Sequence, residues 1–341
     1  MQLKLHSFDL PLAHTFTISR ESINTQPTLI VELRDGEHRG YGEATANKYY
    51  GATIEAMTQR IETLRPMIET ATWNRPEELW QQLQPALASD PFSLCAIDQA
   101  AHDLWGKRAG KPVYEMWGLS TAKIPASNYT IGIDTIPKML EKLQEFPDWP
   151  IYKIKLGTAN DIEIVRELRK HTSATFRVDA NCGWSAEQAL EYAPQLKALG
   201  VEFIEQPLPA DRWEDIRRVR ESIVLPIIAD ESCIVESDVR RCAGLFHGIN
   251  IKLVKCGGLT PARRMIAEAR QLGLSVMVGC MTESTVGISA IAQLLPLLDY
   301  VDMDGAVLLA KDIATGVRVE RGICHYPDAP GTGVQLLARA V

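Results

Sequence analysis

The stretch YKIKLG, residues 152 to 157, sets Lys153 and Lys155 two apart among Ile151, Ile154 and Leu156. Side chains alternate along a strand, so both ammonium groups point to one side. A solvated strand face is the plain explanation of such a pair. If the pair is buried, the two cations repel each other, and a nearby divalent cation adds to that repulsion. Both effects lower the ammonium pKa towards that of a working general base. A neutral lysine can take a proton from a carbon beside a carboxylate, provided that a cation stabilises the enediolate oxygens that form.

The oxygen ligands for such a cation stand at the ends of later apolar runs. VDAN (178 to 181) carries Asp179 with Asn181 beside it, IEQPL (204 to 208) carries Glu205, and ADES (229 to 232) carries Asp230 and Glu231. Hard carboxylate oxygens from three successive runs suit Mg²⁺. Zinc is disfavoured because none of the seven histidines falls at these places. NIKLVKCGG (250 to 258) adds Lys252 and Lys255, and DMDG (302 to 305) adds Asp302 and Asp304. Each charge alone has an ordinary reading as solvated or ion-paired. Gathered round one axis, they must neutralise one another or hold an ion.

The elements that position them follow from the apolar pattern. Strand-like runs at 127–133, 151–157, 175–181, 201–207, 225–232, 248–255, 274–281 and 300–306 recur about every 25 residues, each followed by a helix-length amphipathic segment. That texture predicts an α/β fold of the TIM-barrel type. An open doubly wound sheet is the alternative, but no glycine-rich fingerprint follows the first strand. In a barrel, chemistry is assembled where the strands end. Lysines on strands two and six then flank the carboxylate arc from opposite sides, so that deprotonation from one side and reprotonation from the other inverts a stereocentre.

Residues 1 to 118 read as a separate α+β unit. It has antiparallel strands in MQLKLHSFDLPL and PTLIVELRDGEHRGYGEA, an Asp-Gly turn at Asp35 and Gly36, and helices ending at a Gly110 C-cap. The barrel is expected over 119–314. A Gly- and Pro-rich segment from 315 to 341 is expected to return to the first unit.

At 341 residues, 46% hydrophobic and 23% charged, the chain has the composition of a folded globular protein. A net charge of −7 without a basic block argues against nucleic acid. No apolar run reaches the roughly 18 residues of a membrane span, and the N-terminus lacks a signal-peptide core. The seven cysteines include no C-x-x-C pair, which fits reduced thiols and a cytoplasmic location.

With these motifs in order, the chain resembles the muconate-lactonising subgroup of the enolase superfamily, whose Lys base and Mg²⁺ are a recognised pattern. The resemblance implies a modified barrel, (β/α)₇β, under an N-terminal α+β capping domain. It implies Lys155 and Lys252 as the acid/base pair, Lys153 as the electrostatic partner of Lys155, and Lys255 as a supporting charge with Asn181 and Glu231. It implies Mg²⁺ on Asp179, Glu205 and Asp230. The Asp-x-Asp of Asp302 and Asp304 resembles the mark of the dipeptide epimerases, where it would hold a substrate's α-ammonium group; a structural strand-end pair is the alternative. VGCMTES (278 to 284) resembles that family's seventh strand, so Cys280 and Met281, with Thr130 on the first barrel strand, are expected at the substrate. FTISRES (16 to 22) and GEATANKYYGAT (42 to 53) match the two loops of the cap. Arg20 stands where bidentate pairing to a Glu side chain would favour Ala-Glu, although relatives of other specificity also keep a basic residue there. Tyr49 and Tyr50 either line an apolar pocket or anchor their loop. The expected partner is a small dipeptide, in a homo-oligomer. Rival readings are o-succinylbenzoate synthase, N-succinylamino acid racemase or a cycloisomerase, none of which needs an ammonium site, and a non-catalytic binding barrel.

Overall fold

A computed structural model describes residues 1–19 and 21–338 of the chain. The N-terminal part is an antiparallel sheet of β1 (Gln2–Thr17), β2 (Ser22–Asp35) and β3 (His38–Thr45). Asp35 pairs with His38 across Gly36, whose φ of +57° is the left-handed turn expected of Asp-Gly. The first strand runs further than its sequence suggests. Beyond an irregularity between Pro11 and Phe16 the ladder resumes with Phe16 opposite Ile23 and Thr17 opposite Ser22, so both ends of the expected loop are strand.

Three helices, Ile54–Thr70, Pro76–Leu87 and Pro91–Ala109, follow the sheet. The third begins with Asp90 accepting the N–H of Ser93, has Pro91 in its first turn, and ends at left-handed Gly110. Its packing on β3 requires glycine there, because a Cβ at Gly40 or Gly42 would lie 2.1 Å from a carbonyl oxygen of the helix. The other face of the helix meets the barrel. Asp98 accepts the N–H and hydroxyl of Thr260, at the start of helix Leu259–Gln271, at 2.9 and 2.7 Å.

The barrel sheet runs in chain order through β4 (Tyr129–Ile131), β5 (Ile151–Lys155), β6 (Thr175–Asp179), β7 (Val201–Glu205), β8 (Ile227–Ala229), β9 (Gly248–Ile251), β10 (Ser275–Gly279) and β11 (Tyr300–Asp302), all parallel. A helix follows each strand up to β10, whereas β11 is followed by the 3₁₀ turn Gly305–Leu308. This is the expected (β/α)₇β architecture. The ring closes between β11 and β4 through a bridge from Ser127 to Val301 and hydrogen bonds from Asn128 to Asp302 and from Thr130 to Asp304.

The strands are shorter at their C-terminal ends than the apolar runs predict. The run 248–255 is broken: the strand stops at Ile251, and Leu253–Cys256 turns into a short helix before the left-handed Gly257 and Gly258. Asp230, Lys252 and Asp304 accordingly stand just beyond their strands, where backbone leaves the ladder.

Inside the barrel, below the charged residues, Phe203, Ile228 and Met277 form an apolar floor with Tyr300. Arg177 lies 5.2 and 5.1 Å from the rings of Phe203 and Tyr300 and donates to Glu202 at 2.8 Å. At the C-terminal end, Ala314–Thr315 pairs with Gln335–Leu336, and Ile313 and Val334 pack with Leu10, Ile30 and Tyr41 of the N-terminal sheet. Among the described residues no helix is long and apolar enough to cross a membrane.

Candidate active site

Register builds the centre of the site. β5 and β6 are aligned so that Lys155 stands opposite Asp179, and β6 and β7 so that Asp179 stands opposite Glu205. Asp230 follows β8 at the same level. One carboxylate oxygen from each of Asp179, Glu205 and Asp230 lies within 4.8 Å of the others, all three residues being buried. Three hard oxygens so close can hold a divalent cation of the Mg²⁺ type.

Lysines neutralise this trio from two sides. Lys155 Nζ is 2.7 Å from Asp179 Oδ2, and Lys252 Nζ is 3.2 Å from Asp230 Oδ2. Their strands, β5 and β9, are separated by β6, β7 and β8, so the two ammonium groups approach from opposite flanks. Lys153, fully buried, lies 2.8 Å from Glu205, 2.8 Å from Asp302 and 3.2 Å from Asp179. The two lysines of YKIKLG do share a face, and it is the inner one.

For Lys153 the expected low pKa is not what this arrangement produces. Burial alone would push Lys153 down, but Asp302, Glu205 and Asp179 together hold it well above the usual lysine value. Burial is likewise outweighed at Lys252, chiefly by Asp230. At Lys153 and Lys252 the attraction of carboxylates contributed by other strands exceeds the cost of burial.

The carboxylates divide. Burial raises each, yet Lys155 and Lys153 hold Asp179 below the ordinary range, and Lys252 and Lys255 do so for Asp230. Glu205 is pushed up to about 7, by burial first and then by Asp179 and Asp230, beyond what Lys153 returns. Asp302 is held low by Lys153 against its burial, while burial and the adjacent Asp302 push Asp304 well up.

The other expected residues are placed as follows. Asp302, Asp304, Cys280 and Met281 line the same cavity as Lys155 and Lys252, with Asn181 and Glu231. Asp302 ends β11 and accepts from Asn128 at 2.8 Å, whereas Asp304 lies past the strand and accepts the N–H of Thr130 at 2.5 Å. Thr130 does not line the cavity; it stands behind Asp304. Asn181 has a φ of +43°, donates its N–H to Asp179 and accepts from Ser19 of the first cap loop at 3.2 Å. Lys255 is buried on its helical turn, away from the cavity. Ile18, Glu21, Tyr49 and Tyr50 bring the cap to the mouth. Arg20 lies outside the described residues.

Three further residues went unremarked in the sequence. Asn250 donates to Glu205 at 2.8 Å, Asn128 holds Asp302, and Gln206 bonds the N–H groups of Asp230 and Ser232. A period-two reading would have found two of them, since Asn250 shares a face with Lys252 and Asn128 with Thr130.

The fold and this charged rim define an enolase-type barrel, and comparison agrees. Residues 3–118 match the mandelate racemase / muconate lactonizing enzyme N-terminal domain, and residues 138–340 match the enolase C-terminal domain-like family. The chain belongs to the mandelate racemase / muconate lactonizing enzyme family of the enolase superfamily.

Within that family it is 58% identical over 337 residues to an L-Ala-D/L-amino acid epimerase of Flavobacterium johnsoniae, covering 99% of this chain and 100% of the relative. Among solved structures, the substrate-liganded L-Ala-D/L-Glu epimerase from Bacillus subtilis superposes with a TM-score of 0.93 at 26% identity, over 98% of both chains. A dipeptide epimerase from Methylococcus capsulatus, complexed with Mg and L-Arg-D-Lys, superposes with a TM-score of 0.90 at 32% identity, also over 98% of both.

Proposed function

We propose that this chain is a Mg²⁺-dependent dipeptide epimerase that inverts the α-carbon of the C-terminal residue by 1,1-proton transfer, with L-Ala-D/L-Glu as the leading substrate. In this reading residues 1–118 are the cap, 119–314 the barrel and 315–341 the returning segment. The observation that carries it is one cavity holding Lys155 and Lys252 on opposite flanks of a carboxylate trio, with Asp302 and Asp304 beside them. The names of the relatives support the same reaction.

Asp179, Glu205 and Asp230 would hold Mg²⁺, which when bound supplies the positive charge that stabilises enediolate oxygens and makes lysine deprotonation easier. Asp302 and Asp304 take the substrate's α-ammonium group, which fixes the dipeptide at its N-terminal end. The α-carbon of the second residue then sits between the two lysines. The neutral one removes its proton, and the protonated one on the far flank delivers a proton to the opposite face. Lys153, held charged by its carboxylates, stays an electrostatic partner. That the seven cysteines form no disulfide among the described residues supports a cytoplasmic location.

The test is exchange of the α-hydrogen of Ala-Glu in D₂O, followed by mass. Exchange and inversion should require Mg²⁺ and stop with EDTA. Asp302→Asn should lower kcat/KM for the dipeptide by about 30-fold or more, since a buried charge partner is lost. It should affect an N-succinylamino acid far less. Dipeptide turnover unchanged by Asp302→Asn, or exchange that persists in EDTA, would refute the reading.

A further inference from the structure

We infer that Lys255 and Gln206 form a positioning frame that aims Asp230 at the divalent ion and so sets metal affinity, with no part in proton transfer. The inference rests on Asp230 being a metal ligand, as proposed above.

Lys255 lies three residues past Lys252 but faces away from the cavity, and it is completely buried. An ammonium group has three N–H donors. Here all three are committed: to Asp230 Oδ1 at 2.6 Å, to the Asp230 carbonyl at 2.5 Å and to the Cys233 carbonyl at 3.0 Å. A lysine so bound has neither a free lone pair nor a path to substrate, which separates it from Lys252.

Gln206 completes the frame from the adjacent strand end, where the backbone takes a φ of +32° directly after Glu205. Its Oε1 accepts the N–H groups of Asp230 and Ser232, each at 3.0 Å. Its amide nitrogen donates to Ser232 Oγ at 2.9 Å and to the Leu208 carbonyl at 2.8 Å. Both donors and both acceptor positions of the amide are used.

Between them the two side chains bind the N–H, the carbonyl and Oδ1 of Asp230. Oδ2 is the oxygen left facing the cavity, with Lys252 at 3.2 Å. The frame thus fixes which oxygen is presented and keeps the residue from rotating to bury it. Partners behind a metal ligand act in this way on affinity. The second cation on Asp230 also prevents Lys252 from being its only counter-charge.

The experiment measures Mn²⁺ binding to the full chain by electron paramagnetic resonance, with no substrate present, for wild type and Lys255→Met. Circular dichroism confirms that each is folded. The variant should bind Mn²⁺ about tenfold to a hundredfold more weakly. The Mg²⁺ concentration for half-maximal turnover should rise in step, and lost activity should return as Mg²⁺ is raised. A folded Lys255→Met that binds Mn²⁺ as wild type does overturns the inference. So does activity that stays lost at saturating metal, which would place Lys255 in the chemistry. If Lys255→Met does not fold, Lys255→Gln decides: it keeps two donors, loses the charge, and should still bind Mn²⁺ at least threefold more weakly, whereas wild-type affinity overturns the inference. A wild-type chain that binds no Mn²⁺ would instead refute the metal reading of the site, and this frame with it. Failure to turn over Ala-Glu leaves the binding result intact.

Discussion

The interior of the barrel has two layers built on the same strands. On β6, β7 and β11 the inward residues come in pairs two apart: Arg177 and Asp179, Phe203 and Glu205, Tyr300 and Asp302. The lower members form a floor in which the cation Arg177 lies over the rings of Phe203 and Tyr300, paired with Glu202 and bonded to the carbonyl of Val301. The upper members belong to a rim where the carboxylates of Asp179, Glu205, Asp230, Asp302 and Asp304 face the ammonium groups of Lys153, Lys155, Lys252 and Lys255, so negative charge is in excess. Burial first, and then the neighbouring carboxylates, push Glu205 up to about 7 and Asp304 well up. Backbone and alternation are common to both layers. The difference teaches that the floor is arranged for stability, whereas the rim gathers the opposed charges of the proposed metal and substrate site.

The sharpest way to break this contrast is Lys155→Ala. Loss of this proposed acid/base group should lower kcat by about 10²- to 10⁴-fold while the melting temperature stays close to wild type. Equal activity in steady-state assays would remove Lys155 from the chemistry.

The complementary change is Phe203→Ala in the floor. Emptying a fully buried aromatic site should cost about 3–5 kcal/mol of unfolding free energy, read from denaturant melts. Turnover by the protein that remains folded should be close to normal. A variant as stable as wild type but inactive would mean that the two layers are not separable.

A smaller effect sharpens the comparison at the floor end of β9. His247 accepts the N–H of Ile227 at 3.0 Å, and burial, then Arg220, hold its imidazole down to about 4. Its folded pKa lies below the unfolded value, so its contribution to stability is complete above about pH 6.5 and is lost as pH falls through about 4. The melting temperature of wild type should therefore drop more between pH 7 and pH 4 than that of His247→Gln. Parallel curves for the two proteins would show that His247 is not a source of acid sensitivity.

Much of this was legible in the chain because it depends on local pattern. The 25-residue recurrence of apolar runs marked the barrel, and Asp35-Gly36 and Gly110 marked a hairpin and a helix end that the structure contains. The convergence of Lys153, Lys155, Asp179, Glu205, Asp230 and Lys252 followed from their shared place at strand ends. Other features were hidden because they depend on where backbone leaves the ladder. Lys255 read as a strand residue, yet a turn after Ile251 carries it behind Asp230. Thr130 read as a substrate contact, but its N–H is occupied by Asp304.

The sequence by itself determined which side chains share a face and how many strands carry them, since period-two alternation and helix-length spacing are properties of neighbouring residues. Tertiary structure alone decided the protonation preferences and the roles of near-identical groups. Lys153 meets Asp302 from 149 residues away, and that carboxylate, with Glu205 and Asp179, outweighs burial. Electrostatic energy is set by distance in space and by exclusion of water, and neither is written in the order of the chain.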